Sequence, residues 1–519
     1  MGSSLIPFLL SFNFLVPQSS FWRGFLSFSG NLFVYLSGLI FVILAVRIVL
    51  VVAYAYRKYW KKKEYLTIEE VKKFASDKGT DLPFFTIIIP ARDESEVVAP
   101  TIETFLNINY PRDSYEVVVV TDHKETLKAK EGDVTTQTEV RRMQEKYKNS
   151  QPDFHLWHYD VPYDFDGAIS GLCLGHETGS TKGRALNWAI TESEKEAKRK
   201  PTFYAFFDTD AHPNTQSFLA VAKAFILDNS KRVFQLPVFQ VRNFWSISIF
   251  SKLASLGQAF SHQTFLAYMF LYMPFVGGTN LFIERNILLA VKGINPHTIT
   301  DDLDLGTRMY LQENAWPYYL PYPSSEQTPA TIKMYVKQRK RWGMGQLQMI
   351  SDLNRWSRKL PENLINVPDI KKKIKRLYWA YIWHGPFQYL SYFLLTMLSL
   401  VSLSSRTVNY FISFFSIGNK WAYFSTAKTA FGFIYWFFSN IPIPLVIYSA
   451  ALLIFYRQYI SWPEKRVWKK QTLWYLMAAI TFMPFILFLY PWPYVSGFID
   501  YYILKKRHTS WIKTPRTKG

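Results

Sequence analysis

Cysteine is nearly missing from this chain. One residue, Cys173, stands among 519, which excludes an intramolecular disulfide and a multi-cysteine metal site. Negative charge is also short: 39 Asp and Glu face 60 Lys and Arg, for a formal net charge of +21. Spread over a folded domain, that excess would suit a nucleic-acid partner. Here it gathers beside apolar runs, at Arg57, Lys58 and Lys61 to Lys63, at Lys371 to Lys375, and at Lys505 to Arg507. Basic residues flanking apolar spans mark the cytosolic side of a membrane, so the charge pattern speaks for lipid contact. No repeat of fixed period and no low-complexity tract is present.

Aromatic side chains, by contrast, are plentiful at 18%, and many sit in the terminal regions. Apolar runs at 32–56, 377–403, 429–456 and 471–504 are long enough to span a bilayer. They predict an N-terminal membrane segment over 1–60, C-terminal transmembrane helices over 376–504 and a basic cytosolic tail over 505–519. The expectation is an integral membrane protein, placed in the plasma membrane and in contact with its lipids.

Between the apolar ends, residues 80–355 read as α/β. FFTIIIP (84–90), YEVVVVTD (115–122) and PTFYAFFDTD (201–210) have the continuous apolar character of buried parallel strands. RVFQLPVFQV (232–241) predicts a further strand, and Trp245 to Met273 an amphipathic helix lying on a membrane surface. Sheets of this kind carry their functional loops at the C-terminal ends of the strands.

The chemistry-bearing residues fall at such ends. Asp208-Thr209-Asp210 closes a strand, and a D-x-D there can bind Mg²⁺ or Mn²⁺ bridging phosphates. His212 is open to two readings, a ligand to the same metal or a turn-stabilising side chain. Asp122 ends the preceding strand and can either hydrogen-bond a base or ribose or form an Asx turn. Thr300-Asp301-Asp302-Leu303-Asp304 sets three acids in four positions, and their repulsion favours one raised pKa, as a general base needs. Helix capping by Thr300 or Asp301 is the competing role. Lys182 opens a helix after a Gly-rich loop, a natural phosphate site. Gly277-Gly278-Thr279-Asn280 allows backbone to approach a ligand. Gln338, Arg341 and Trp342 form a Q-x-x-R-W box, joining groups able to hold a diphosphate to a flat face able to carry a sugar.

In this order and spacing the residues resemble the inverting family 2 glycosyltransferases of the cellulose synthase and hyaluronan synthase type. IIIPARDE (87–94) is similar to that family's I-P-x-x-N-E, with Asp93 in place of Asn. TKGRALN, the D-x-D, FVGGTN, TDD and QRKRW complete the likeness. The resemblance implies an α/β fold: a Rossmann-like glycosyltransferase domain of the GT-A type, inserted between N-terminal and C-terminal transmembrane α-helices. It implies Asp302 as general base and Asp208 and Asp210 as metal ligands, Asp210 the principal one. Asp122, Lys182, Asp208, Gln338 and Arg341 would bind the nucleotide sugar, and Gly278, Thr279, Asp301 and Trp342 the acceptor. The expected partners are a nucleotide sugar, UDP-linked, and a growing glycan, with no nucleic acid beyond the nucleotide donor. The product would be a polysaccharide, made processively and passed across the membrane. The alternative is a non-processive enzyme that forms a glycolipid. His176 and Glu177, in the long segment 123–181, receive no role.

Overall fold

The computed structural model describes residues 46–151, 153–196, 199–391 and 491–505, with residues 43 and 393. The chain divides into two compact units, one of Met1–Val51 with Phe387–Trp492, the other of Val52–Pro386 with Pro493–Gly519. Most of the first lies outside the described residues; the second carries the fold.

Nine strands are described: β1 (Phe85–Pro90), β2 (Tyr115–Asp122), β3 (Leu156–Val161), β4 (Phe203–Phe206), β5 (Val233–Gln235), β6 (Val238–Gln240), β7 (Leu281–Glu284), β8 (Pro317–Tyr319) and β9 (Ser324–Glu326). Among the helices are α1 (Ile68–Asp77), α2 (Ser95–Leu106), α3 (His123–Lys128), α4 (Thr136–Ser150), α5 (Lys182–Glu196), α6 (Ser217–Leu227), α7 (Ile249–Met269), α8 (Arg285–Ala290), α9 (Asp301–Glu313), α10 (Ile332–Arg358) and α11 (Ile370–Ile382).

Seven strands form one sheet in the order β3-β2-β1-β4-β7-β5-β8. The β3-β2-β1-β4 half is parallel throughout, with Ile88 of β1 opposite Val118 of β2 and Phe206 of β4. Strand β7 runs antiparallel to both its neighbours. Alternate side chains serve opposite faces, and both faces are covered. Phe85, Ile87, Ile89, Val117 and Val119 join the core beneath α2, α4 and α6, while Ile88, Val118 and Val120 join Leu186, Ala189 and Ile190 of α5. This is why these strands are continuous apolar runs in the sequence. The expected α/β, Rossmann-like architecture is present.

The expected strand over 232–241 is two strands. Pro237 lacks an amide donor and ends pairing in the main sheet. Strand β6 pairs instead with β9 in a separate two-stranded sheet. Helix α7 serves this small sheet directly. Gln258 accepts from the Gln240 amide at 3.1 Å and donates to the Val238 carbonyl at 3.0 Å, and His262 Nδ1 accepts from the Val238 amide at 3.2 Å. Its polar residues thus satisfy a strand edge.

The membrane expectation requires correction. Among the described residues no helix is long and apolar enough to cross a membrane. Helix α10 has the length, at 27 residues, but carries Lys333, Lys337, Arg339, Lys340, Arg341, Asp352, Arg355 and Arg358. The reading as an integral membrane protein of the plasma membrane with a cytosolic catalytic domain is overturned on this finding. Of the runs that suggested it, 429–456 lies wholly, and 32–56, 377–403 and 471–504 lie in part, outside the described residues.

Candidate active site

A cavity of about 170 Å³ opens at the C-terminal ends of β1, β2 and β4. It is lined by Asp122, Lys182, Asp208, Gly278, Thr279, Asp301, Asp302, Gln338, Arg341 and Trp342, so nearly all the residues singled out from the sequence meet in one place. Asp210 is fully buried behind the wall.

The D-x-D turn is held rigidly. Thr209 Oγ1 donates to the Pro90 carbonyl at 2.7 Å, and the Asp208 amide donates to Thr279 Oγ1 at 3.1 Å. The Gln327 amide donates to Asp210 Oδ2 at 2.8 Å. Backbone bonds of 2.9 Å in both directions tie His212 to Ser325, placing Glu326 across from the two aspartates. Carboxylate oxygens of Asp208, Asp210 and Glu326 lie within 4.8 Å of one another. Thr279 Oγ1 donates to Glu326 Oε1 at 2.6 Å and so links both ends of this group. Three hard oxygen donors so close repel one another unless a cation joins them, and the set suits Mg²⁺ or Mn²⁺. This arrangement gives His212 a structural place. Its ring meets Thr104 Oγ1 at 3.2 Å, and burial, with the charge of Arg242, lowers its pKa to about 4.

Lys182 reaches across the cavity floor from the start of α5. Its ammonium donates to Asp208 Oδ1 and, at 2.9 Å, to the Gly278 carbonyl. Burial opposes its charge, but the carboxylates of Asp208 and Asp301 outweigh burial and hold its pKa above the ordinary value. Gly278 has φ +68, and a Cβ there would stand 3.3 Å from Asp302 Oδ2. The glycine is needed both for the turn and for the closeness of the acid.

The three acids of α9 part company. Asp304 is buried against Arg308, at 2.6 Å. Asp302 Oδ1 accepts from the Leu303 amide at 2.8 Å. Burial, with the neighbouring Asp301 charge added, pushes its pKa up to about 7. Thr300 occupies the N-cap position without a side-chain cap bond; it packs instead where a Cβ on Gly345 of α10 would stand. Asp122 forms the expected Asx turn and makes a contact the sequence did not suggest. Its Oδ1 accepts from the Lys124 amide at 3.2 Å, capping α3, and its Oδ2 lies 3.5 Å from the buried Arg184 guanidinium.

The sequence profile of glycosyl transferase family group 2 matches residues 205–504. The chain belongs to that family. Among relatives of this glycosyltransferase, the probable glycosyltransferase YdaM of Bacillus subtilis (strain 168) is 23% identical over 295 residues, covering 54% of this chain and 60% of that protein. The beta-monoglucosyldiacylglycerol synthase of Trichormus variabilis is 25% identical, covering 54% of this chain and 53% of that one. This chain thus spans little more than half the length of the curated relatives it matches. Of solved structures, the mannosyltransferase PcManGT from Pyrobaculum calidifontis, in complex with GDP-Man and Mn²⁺, is 18% identical with a TM-score of 0.39, covering 86% of this chain and 98% of that one.

The cavity also has residues that received no role from the sequence. Glu326 lies far from the D-x-D in the chain, and the bridge at His212, the pairing of β9 with β6 and the Thr279 bond bring it in. Arg92, Gln240, Gln258 and His262 line the wall as well. Arg184, in the quoted TKGRALN, is visible in the sequence, but its pairing with Asp122 is a matter of tertiary placement.

Proposed function

We propose that this glycosyltransferase moves one sugar from a nucleotide sugar, UDP-linked, to a lipid hydroxyl with inversion at the anomeric carbon. The observation that carries the proposal is the gathering of an acidic group suited to a metal, a half-buried aspartate of raised pKa and the Arg341-Trp342 pair around one cavity. The lipid acceptor rests on relatives that are beta-monoglucosyldiacylglycerol synthases.

Asp122 would hydrogen-bond the base or ribose, and Lys182, Gln338 and Arg341, which line the same cavity, would hold the diphosphate. Mg²⁺ or Mn²⁺ held by Asp208, Asp210 and Glu326 would supply charge neutralisation of that diphosphate. Asp302 takes the proton of the acceptor hydroxyl, whose oxygen then forms a bond to the anomeric carbon as the bond from that carbon to the phosphate oxygen breaks. The nucleoside diphosphate leaves with the electron pair, toward the charges of Lys182 and Arg341. Electrostatic stabilisation of this kind is commonly the main source of rate enhancement. Gly278, Thr279, Asp301 and Trp342 bound the acceptor side. Thr279 acts there through its bonds to Glu326 and the Asp208 amide.

The test offers purified full-length protein UDP-glucose, UDP-GlcNAc and GDP-mannose with Mg²⁺ or Mn²⁺ and dioleoylglycerol in mixed micelles. Nucleoside diphosphate release and product mass are followed, with Asp302→Asn as control. A monoglycosylated lipid supports the proposal. A long, glycosidase-sensitive product would support the processive polysaccharide synthase instead, and no Asp302-dependent turnover with any donor would overturn both.

A further inference from the structure

Arg339 lies inside the Q-x-x-R-W box at a position the box leaves open, and it is only 5% exposed. Among the described residues no carboxylate pairs with it, and its buried Nε finds no acceptor. A buried guanidinium without a counter-ion is costly to a fold and calls for an explanation. Its contacts supply one. The guanidinium carbon lies 3.9 Å from the Trp342 ring centroid and 5.0 Å from that of Tyr335. Its Nη2 donates to Gln240 Oε1 at 3.1 Å.

Both Trp342 and Gln240 line the cavity, from α10 and β6 respectively. A guanidinium has donors only, so it dictates which end of the Gln240 amide faces it. The carbonyl turns to Arg339, so the amide nitrogen is the end that can donate into the cavity Gln240 lines. The Gln240 backbone is fixed independently by Ser255, Gln258 and Thr328, so its side chain is the part left to orient. We propose that Arg339 is a positioning residue that sets two walls of the acceptor subsite at once, the plane of Trp342 and the donor end of Gln240. The inference rests on Trp342 bounding the acceptor, as proposed above.

The test compares Arg339→Met, Trp342→Ala and the double variant, using UDP-glucose and dioleoylglycerol in mixed micelles. A desolvated cation–π contact supports an expected rise in acceptor KM of roughly tenfold for Arg339→Met. Donor KM and nucleoside diphosphate release without acceptor should stay unchanged. Because methionine replaces an unpaired buried charge, the melting temperature should hold or rise, which a structural role would not give. In the Trp342→Ala background Arg339→Met should raise acceptor KM by less than it does in wild type, because only its hold on Gln240 remains to be lost. Arg339→Lys, which keeps the charge and gives up the plane, should raise acceptor KM in the same way and covers the case of a Met variant that does not fold.

Multiplying effects in the double variant would overturn the inference, as would donor and acceptor KM rising together with a fall in melting temperature. An acceptor KM within twofold of wild type in both Arg339 variants, with Trp342→Ala impaired, would overturn the inference and leave the acceptor subsite standing. An unimpaired Trp342→Ala would remove the subsite, and the inference with it.

Discussion

Asp302→Asn separates chemistry from folding, because the two respond in opposite directions. The substitution keeps the shape of the side chain and removes its ability to take a proton. Loss of a positioned general base costs about 10²- to 10⁴-fold in rate, so kcat should fall by that factor while donor KM stays close to wild type. As the proposed base, Asp302 has to be ionised to take a proton, and burial with the Asp301 charge raises its pKa to about 7. Activity should therefore rise with pH through neutrality. At pH 5 only about one molecule in a hundred has the ionised group, and kcat/KM should lie about a hundredfold below its plateau.

Stability runs the other way. Below about pH 4 both folded and unfolded chains hold the proton. Between an ordinary aspartate value and about 7 the folded chain keeps it and the unfolded chain releases it, so rising pH favours unfolding. Above 7 the trend stops. The interval corresponds to about 4 kcal/mol at most, at 1.36 kcal/mol per pH unit. The asparagine side chain does not titrate, so the variant's melting temperature should gain on the wild type from pH 4 to 7. Pre-steady-state turnover and thermal melts across pH 4–9 measure both. A variant within tenfold of wild-type kcat, or a wild-type profile flat down to pH 5, would refute the assignment of the base. A melting-temperature gap independent of pH would refute the burial argument.

Glu326→Gln should weaken Mn²⁺ half-saturation by roughly 10- to 100-fold while leaving the fold intact, measurable by metal titration of nucleotide binding. Asp122→Asn removes the carboxylate beside Arg184, whose guanidinium is 3% exposed. The loss should be near 3 kcal/mol, the lower end for a broken buried pair, because Arg184 also donates to the Phe165 carbonyl at 3.0 Å. Denaturant midpoints read that loss, and donor KM should rise in parallel. Gly345→Ala forces a Cβ onto Thr300, just ahead of Asp301 and Asp302. Overpacking of about 1–3 kcal/mol should outweigh the gain in helix propensity of about 1 kcal/mol, with kcat falling more than donor KM changes.

The parts of this protein legible from its sequence are those where local chemistry and final environment agree. Strands β1 and β2 are β-branched runs covered on both faces, and a run of that kind has few other fates. Asp122 and Asp208 sit at strand ends, where connectivity itself carries them to the site. Residues 232–241 misled because their apolar pattern is continuous while one missing amide at Pro237 divides two sheets. Glu326 gave no signal because its part depends on an antiparallel bridge between distant segments, and no periodicity encodes that. Arg339 reads in sequence as a basic helix position; only packing against Trp342 and Tyr335 removes it from solvent.

The order of the metal group along the chain has a consequence for synthesis. Asp208 and Asp210 leave the ribosome well before Glu326, and the Thr279 hydroxyl that joins them lies between. The main parallel half of the sheet has all its strands by Phe206, yet a nascent chain at that stage has no complete cation site. The three-carboxylate group is thus complete only after β9 has closed on the His212 turn. A truncated or stalled chain holds the two aspartates without their third partner, so the full acidic group belongs to the finished domain alone.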